Sequence, residues 1–139
     1  MPSNVNITTS ERFGRKCASS GSKWEPKMGY SRAVRSSNFI AVTGTVGINA
    51  DGSYATSLAE QTRRSLQIIE AAIEALGGKL EHVIRTRTFV TDVSKWEEVA
   101  KVHGEAFGEI RPATTIVQVA RLIDPDAQIE IEADAIVPQ

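Results

Sequence analysis

The most constraining stretch of this chain is Gln128-Ile129-Glu130-Ile131-Glu132-Ala133-Asp134-Ala135. Its strict alternation is the period of a half-buried β-strand, with Ile129, Ile131, Ala133 and Ala135 on one face and Glu130, Glu132 and Asp134 in a row on the other. Three carboxylates on one strand face repel one another unless cations stand opposite. The chain must therefore build a sheet in which neighbouring strands bring basic residues to this row. Arg85 and Arg87 in 82–92 and Arg121 in 114–121 are the candidates. Two readings follow: a cross-strand ion ladder at an interface, or a carboxylate, Glu130 by preference, that works as a general base or orients a water.

The remaining elements supply that sheet. Residues 31–35 and 38–46 read as strands joined by a turn at Ser36-Ser37-Asn38. Asn49-Ala50-Asp51-Gly52 is a second turn, since Asp-Gly suits a tight reversal. Ser57 and Glu60 have capping-box spacing, and Leu66, Ile69, Ile73 and Leu76 form one helical stripe that ends at Gly77-Gly78. A strand over 82–92 follows, with Ile84, Thr86, Thr88 and Val90 on one face. Ser94 and Glu97 open a second helix, 95–107, whose inner stripe is Trp96, Val99, His103 and Phe107. Strands at 114–121 and 128–137, joined around Asp124-Pro125-Asp126, complete the order β-β-β-α-β-α-β-β. The expected fold is α+β: one domain over residues 1–139, a mixed sheet with both helices on one face, and a loosely structured arm at 1–28 with one short strand at 4–8. The opposite sheet face stays bare and partly apolar, which predicts a partner subunit.

Composition narrows the function. The 139 residues carry 16 Lys and Arg against 17 Asp and Glu, a formal charge of −1. That balance argues against nucleic-acid affinity and against a polybasic membrane surface. One cysteine, Cys17, cannot close an internal disulfide, and with two histidines the metal inventory is poor. The polar beginning of the chain shows no secretory core and no long apolar run, so a cytoplasmic, reducing location is expected. There is no phosphate loop, nucleotide fingerprint or nucleophile elbow.

A few positions remain. Gly44, after Thr43, marks either close backbone approach of a ligand or another chain, or a bulge or bend. Thr114-Thr115 opens a strand after Pro112-Ala113. His103 on an inner helical stripe reads as a packed, hydrogen-bonded histidine rather than a catalyst. Cys17 has no partner for nucleophilic work, and Trp24 and Trp96 read as packing groups.

Taken together, Gly29-Tyr30-Ser31-Arg32-Ala33-Val34, Val42-Thr43-Gly44, Thr88-Phe89-Val90-Thr91-Asp92-Val93, Arg111-Pro112-Ala113-Thr114 through Val119-Ala120-Arg121-Leu122, and Ile129-Glu130-Ile131-Glu132-Ala133 resemble the RidA family, also called YjgF or L-PSP. The P-A-x-x-x-V-x-V-A-R-L … I-E-I-E-A tail is the specific part. The resemblance implies a chorismate-mutase-like fold and a homotrimer with ligand clefts between subunits. It also implies cofactor-free hydrolysis of enamines and imines to 2-keto acids and ammonia. Carried over position by position, it makes Tyr30, Thr43, Gly44, Phe89, Ser94, Thr114 and Ile116 substrate-binding and Glu130 the residue that positions the attacking water.

The resemblance breaks at Thr114. Archetypal deaminases carry there an arginine that clamps the substrate carboxylate at two points, and a threonine donates one neutral hydrogen bond. Arg85, Arg87, Arg111 and Arg121 are the available replacements. The expected function is therefore an imine or enamine hydrolase of altered substrate, acting on a small carboxylate or amide. The alternative is a non-catalytic metabolite-binding or regulatory homotrimer. Endoribonuclease or translation inhibitor, a label the family carries, is a third reading that the charge balance does not favour.

Overall fold

The computed structural model describes residues 4–139. Its centre is the strand of alternating carboxylates. This strand, β7 (Ile129–Ile136), lies in a seven-stranded sheet of order β1-β2-β3-β4-β7-β5-β6. The other strands are β1 (Thr8–Arg12), β2 (Arg15–Ser19), β3 (Ala33–Ser36), β4 (Phe39–Val46), β5 (Val83–Val90) and β6 (Ala113–Gln118). β7 runs antiparallel to both β4 and β5, so β4 and β5 are parallel, as are β5 and β6. Each parallel step is spanned by a helix: α2 (Leu58–Ala75) from β4 to β5 and α3 (Trp96–Phe107) from β5 to β6.

The helices cover one face of the sheet. Leu66, Ile69, Ile73 and Leu76 meet Ile40, Ile129, Ile131 and Ala133 in the core. Ile129 and Ile131 have no exposed surface, and full burial of such a side chain contributes about 1.5–3 kcal/mol. Ser57 caps α2 by accepting from the Glu60 amide at 3.1 Å, while the Glu60 carboxylate turns to Arg63. The turn at 49–52 closes with the Gly52 amide on the Asn49 carbonyl at 2.9 Å, and Gly52 takes φ +88°.

Several expectations need correction. The arm at 1–28 is not loose where it is described. Residues 8–19 form a hairpin that extends the sheet through β2 onto β3, and Trp24–Met28 is a short helix, α1. Residues 1–3 of that arm lie outside the described residues. The expected strand at 4–8 meets β1 only at Thr8. Ser94 does not cap α3: its hydroxyl donates to Asp92 at 2.6 Å within the 3-10 turn Val93–Lys95, which Asp92 caps, and α3 itself starts after Lys95 without a side-chain cap. Trp96 is 52% exposed, so the inner stripe of α3 is Val99, Val102 and Phe107 with His103 at its margin. Ile84 leaves the buried face because a bulge sets Val83 opposite Ala135 and Arg85 opposite Asp134, with Ile84 between them.

The sheet face away from the helices holds Arg85, Arg87, Phe89 and the three carboxylates of β7. All six side chains of edge strand β6 are exposed. Among the described residues, no helix is long and apolar enough to cross a membrane.

Candidate functional site

Register decides which carboxylate of β7 is available for chemistry. Across the β5–β7 pair, Arg85 stands opposite Asp134, Arg87 opposite Glu132 and Phe89 opposite Glu130. Arg87 binds both of the first two acids, at 3.2 Å to Glu132 and 3.3 Å to Asp134. The ion ladder is thus real and omits Glu130, whose cross-strand neighbour is an aromatic ring. Among the described residues no side chain or backbone donor hydrogen-bonds the Glu130 carboxylate. Its pKa is pushed above the ordinary glutamate value, first by burial and further by the Glu132 charge, against the opposing pull of Arg32.

β4 supplies the other wall. Val42 pairs with Ala133 and Thr45 with Ile131, so Thr43 and Gly44 together face one residue of β7, a bulge. Of the two sequence alternatives for Gly44, the bulge is the one present. The side chain that crowds it belongs to the same chain: a Cβ added at Gly44 would sit 2.6 Å from Glu130 Oε2 and 2.9 Å from its Cδ. The Thr43 hydroxyl is turned away, donating to the Ser31 carbonyl at 2.6 Å.

Arg32 anchors this corner. It is 6% exposed. Nη1 donates to the Gly44 carbonyl at 2.9 Å and to Thr45 Oγ1 at 3.2 Å, and Nε donates to Ser20 Oγ at 3.3 Å. Nη2 reaches the Tyr30 hydroxyl at 3.5 Å, and the Glu25 carboxylate balances the charge at 3.7 Å. Tyr54 adds a phenol whose pKa is driven upward by burial and by the Asp124 charge, with Glu130 among the other charges that act on it.

The remaining sequence candidates separate by strand alternation. Phe89 shares the face of Glu130. Thr114 pairs with Thr86 and Ile116 with Thr88, both buried on the helix-covered side, so Thr114 and Ile116 point to the opposite face of the sheet from Glu130. One protomer therefore brings Gly44, Phe89 and Glu130 to one side, ties Tyr30 to that corner through Arg32, and leaves Thr114 and Ile116 on the other. Ser94, exposed in its turn, holds Asp92. Arg111 is engaged at the end of α3, where Nε donates to the Gly108 carbonyl at 3.1 Å. Arg121 lies past the end of β6 and lines an open groove of about 570 Å³ with Thr91 and Gln128. A second groove, about 470 Å³, lies between the 49–55 loop and α2. Neither is lined by Glu130, which sits on an open face. Among the described residues no cluster of three or more His, Cys, Asp or Glu side chains is placed to hold a metal.

Sequence reasoning gave no role to Arg32 or Tyr54. Arg32 stands within the G-Y-S-R-A-V segment, but nothing in its spacing marks a buried cation. His103 is hydrogen-bonded, with Nε2 2.9 Å from Thr86 Oγ1, and packs on Phe107 at 4.7 Å between ring centres.

Comparison with known proteins identifies the family and the fold. The family profile described as Endoribonuclease L-PSP matches residues 21–137. The crystal structure of Rv2704 from Mycobacterium tuberculosis, a member of the YjgF/YER057c/UK114 family, superposes with a TM-score of 0.82 at 47% identity. That match covers 88% of this chain and 99% of that one. The 2-iminobutanoate/2-iminopropanoate deaminase of Escherichia coli K12 is 34% identical over 111 residues, 77% of this chain and 86% of that protein. The 3-aminoacrylate deaminase RutC of Acinetobacter baylyi is 34% identical over 112 residues, 79% and 88% respectively. The chain belongs to the RidA/YjgF/L-PSP family, whose members include 2-imino acid deaminases.

Proposed function

We propose that the protein is a cofactor-free imine or enamine hydrolase in which Glu130 orients and deprotonates the attacking water. The observation that carries this reading is the solitary state of Glu130: half-buried, without a hydrogen-bond donor, and passed over by the arginine that satisfies its two neighbours. A carboxylate held only to stabilise the sheet would share that ladder. One with a raised pKa and free lone pairs is suited to accept a proton near neutrality. Water adds to the imine carbon as Glu130 takes its proton and returns it to the imine nitrogen, which gives the carbinolamine. Glu130 then carries the carbinolamine's hydroxyl proton to the amino group, the C–N bond breaks, and ammonia leaves as the carbonyl forms. Arg32 keeps the Gly44 carbonyl and the bulge in place beneath the carboxylate.

The working unit we propose is a homotrimer with its clefts between subunits. Thr114 and Ile116 face away from Glu130 within one chain, so a cleft that uses both needs a second copy of the sheet. Edge strand β6, exposed on both faces, is the surface available for that contact. With Thr114 where archetypal deaminases carry arginine, the substrate is one that one hydroxyl can hold, a small amide or a weakly held carboxylate. That same threonine favours a second reading, a non-catalytic metabolite-binding trimer.

The test generates imines in situ with an amino-acid oxidase and follows their decay with and without the protein, over acidic, neutral, basic and amide side chains. Acceleration of at least one imine is expected. No acceleration of any, together with ligand-dependent thermal stabilisation, selects the binding reading.

A further inference from the structure

Thr86 has one hydroxyl hydrogen and two partners. On β5 it is fully buried, and its Oγ1 lies 2.9 Å from His103 Nε2 and 2.6 Å from Thr114 Oγ1. Three polar groups are thus joined in a line that starts on α3, crosses the helix-covered face of the sheet and ends at the exposed hydroxyl of β6. Water does not reach the middle of the line, so its proton order is set from the ends.

Only two orders satisfy both short contacts and also give the buried Thr86 hydrogen a partner. If Nε2 carries a hydrogen, it donates to Thr86, Thr86 donates to Thr114, and the Thr114 hydrogen is free to donate outward. If Nε2 is bare, Thr86 donates to it, Thr114 donates inward to Thr86, and Thr114 offers only lone pairs. Protonated imidazole permits the first order alone, and neutral imidazole permits either.

We propose that His103 and Thr86 are positioning residues that set whether Thr114 meets the ligand as a hydrogen-bond donor or as an acceptor. The protein then selects between an anionic carboxylate, which needs a donor, and a carboxamide, whose NH2 group needs an acceptor. This rests on the reading of Thr114 as a ligand contact and names what decides its specificity. A lone threonine takes either role for any ligand. The buried relay commits Thr114 to the donor role once His103 is protonated, before the ligand arrives.

The surroundings leave His103 as the group that titrates. Burial alone moves its pKa below the ordinary histidine value, with no charged group contributing. On α3 itself the neighbouring ring is Phe107. On α2, Arg63 is committed to Glu60 and to Glu105 of α3. On β5, Arg85 and Arg87 project from the opposite face of the sheet, and on the β6 side the nearest cation in sequence, Arg111, is tied to the end of α3. The carboxylate preference should therefore rise as pH falls through the acid side of the histidine range. Glu130 also titrates in acid, but it is common to every variant below.

The experiment measures dissociation constants for 2-oxobutanoate and 2-oxobutanamide by calorimetry, at about pH 8 and about pH 5. In the wild type, preference for the acid over the amide should grow about tenfold between the two, the scale of one charge-assisted hydrogen bond. His103→Gln keeps a partner for Thr86 that does not titrate, and should abolish that growth while retaining binding. Thr86→Val, close in shape and lacking the hydroxyl, should flatten the preference at both pH values, and Thr86→Ser should restore it. An unchanged pH response in His103→Gln overturns the relay. If Thr114→Val leaves both affinities untouched, Thr114 is no ligand contact, and the reading of the site falls together with the relay. If Thr114→Val weakens binding while His103→Gln behaves as wild type, the site stands and only the relay is lost.

Discussion

A methyl group at Gly44 would lie 2.6 Å from the Oε2 atom of Glu130. The carboxylate occupies space that any other residue at 44 would claim. The β4 bulge that places Gly44 there is held by Arg32, through the Gly44 carbonyl and Thr45. Strand register, the bulge and the buried arginine converge on one carboxyl group, and they leave it without a partner.

Gly44→Ala should spare the fold and disable the site. The obstructing atoms are the tip of a flexible side chain, so Glu130 can swing aside at a cost of about 1 kcal/mol or less. Hydrolysis should fall about a hundredfold, as expected when a general base is misplaced. Gly47→Ala is the contrast. Its Cβ would strike the backbone carbonyl of Gln61 in α2, which has nowhere to go, so a loss of about 3 kcal/mol is expected. Urea unfolding of both variants, beside imine turnover, separates the two.

Glu130→Gln should stabilise the protein at neutral pH. The native carboxyl has a pKa above the ordinary 4.5, so the folded state binds its proton more tightly than the unfolded chain. Its contribution to stability is present below 4.5 and is lost as pH rises through the folded pKa. Removing the charge should therefore raise the melting temperature of the variant over wild type at about pH 8, and the gap should close at about pH 4. A gap that widens in acid contradicts the assigned shift.

Arg32→Met should do two things at once. It leaves the buried Glu25 carboxylate with only Ser20 as partner, and breaking a buried pair costs about 3 kcal/mol. It also removes the cation that opposes the rise in the Glu130 pKa. The acid limb of the pH–rate profile should move upward relative to wild type. Loss of stability without that movement confines Arg32 to a structural role.

Thr114→Arg should raise activity on simple 2-imino acids, with a lower KM, since a guanidinium clamps a carboxylate where a hydroxyl cannot. The position is exposed on an edge strand and has room for the longer side chain. A folded variant with no gain shows that the cleft differs from the deaminases elsewhere as well.

The middle and end of the chain were legible because their apolar periods are clean: the 66–76 stripe and the alternation of 129–135 each specify a buried face. The hairpin of β1 and β2 was not. All five residues of β1 are exposed, so no alternation betrays it, and its turn sets Phe13 at φ 51° ahead of Gly14 at 77°, where the usual signal is Asn or Asp before Gly. At the site, alternation placed three acids on one face but could not choose among them, because register is a property of the pairing and not of the strand. It was the opposition of Phe89 to Glu130 and of Arg87 to Glu132 that made the choice. Arg32 escaped for a related reason: an arginine in a short strand lead-in reads as surface until its partners Glu25, Ser20 and Gly44 are brought to it from three other segments.

The direct test of the central claim compares two isosteric changes one strand period apart. Imine hydrolysis is measured for wild type, Glu130→Gln and Glu132→Gln under identical conditions. The expected result is a loss of about a hundredfold or more in kcat for Glu130→Gln, the scale of general-base catalysis, with Glu132→Gln staying within about threefold of wild type, as befits a half-exposed ion pair. Equal losses in both, or a Glu130→Gln enzyme that turns over at the wild-type rate, would contradict it.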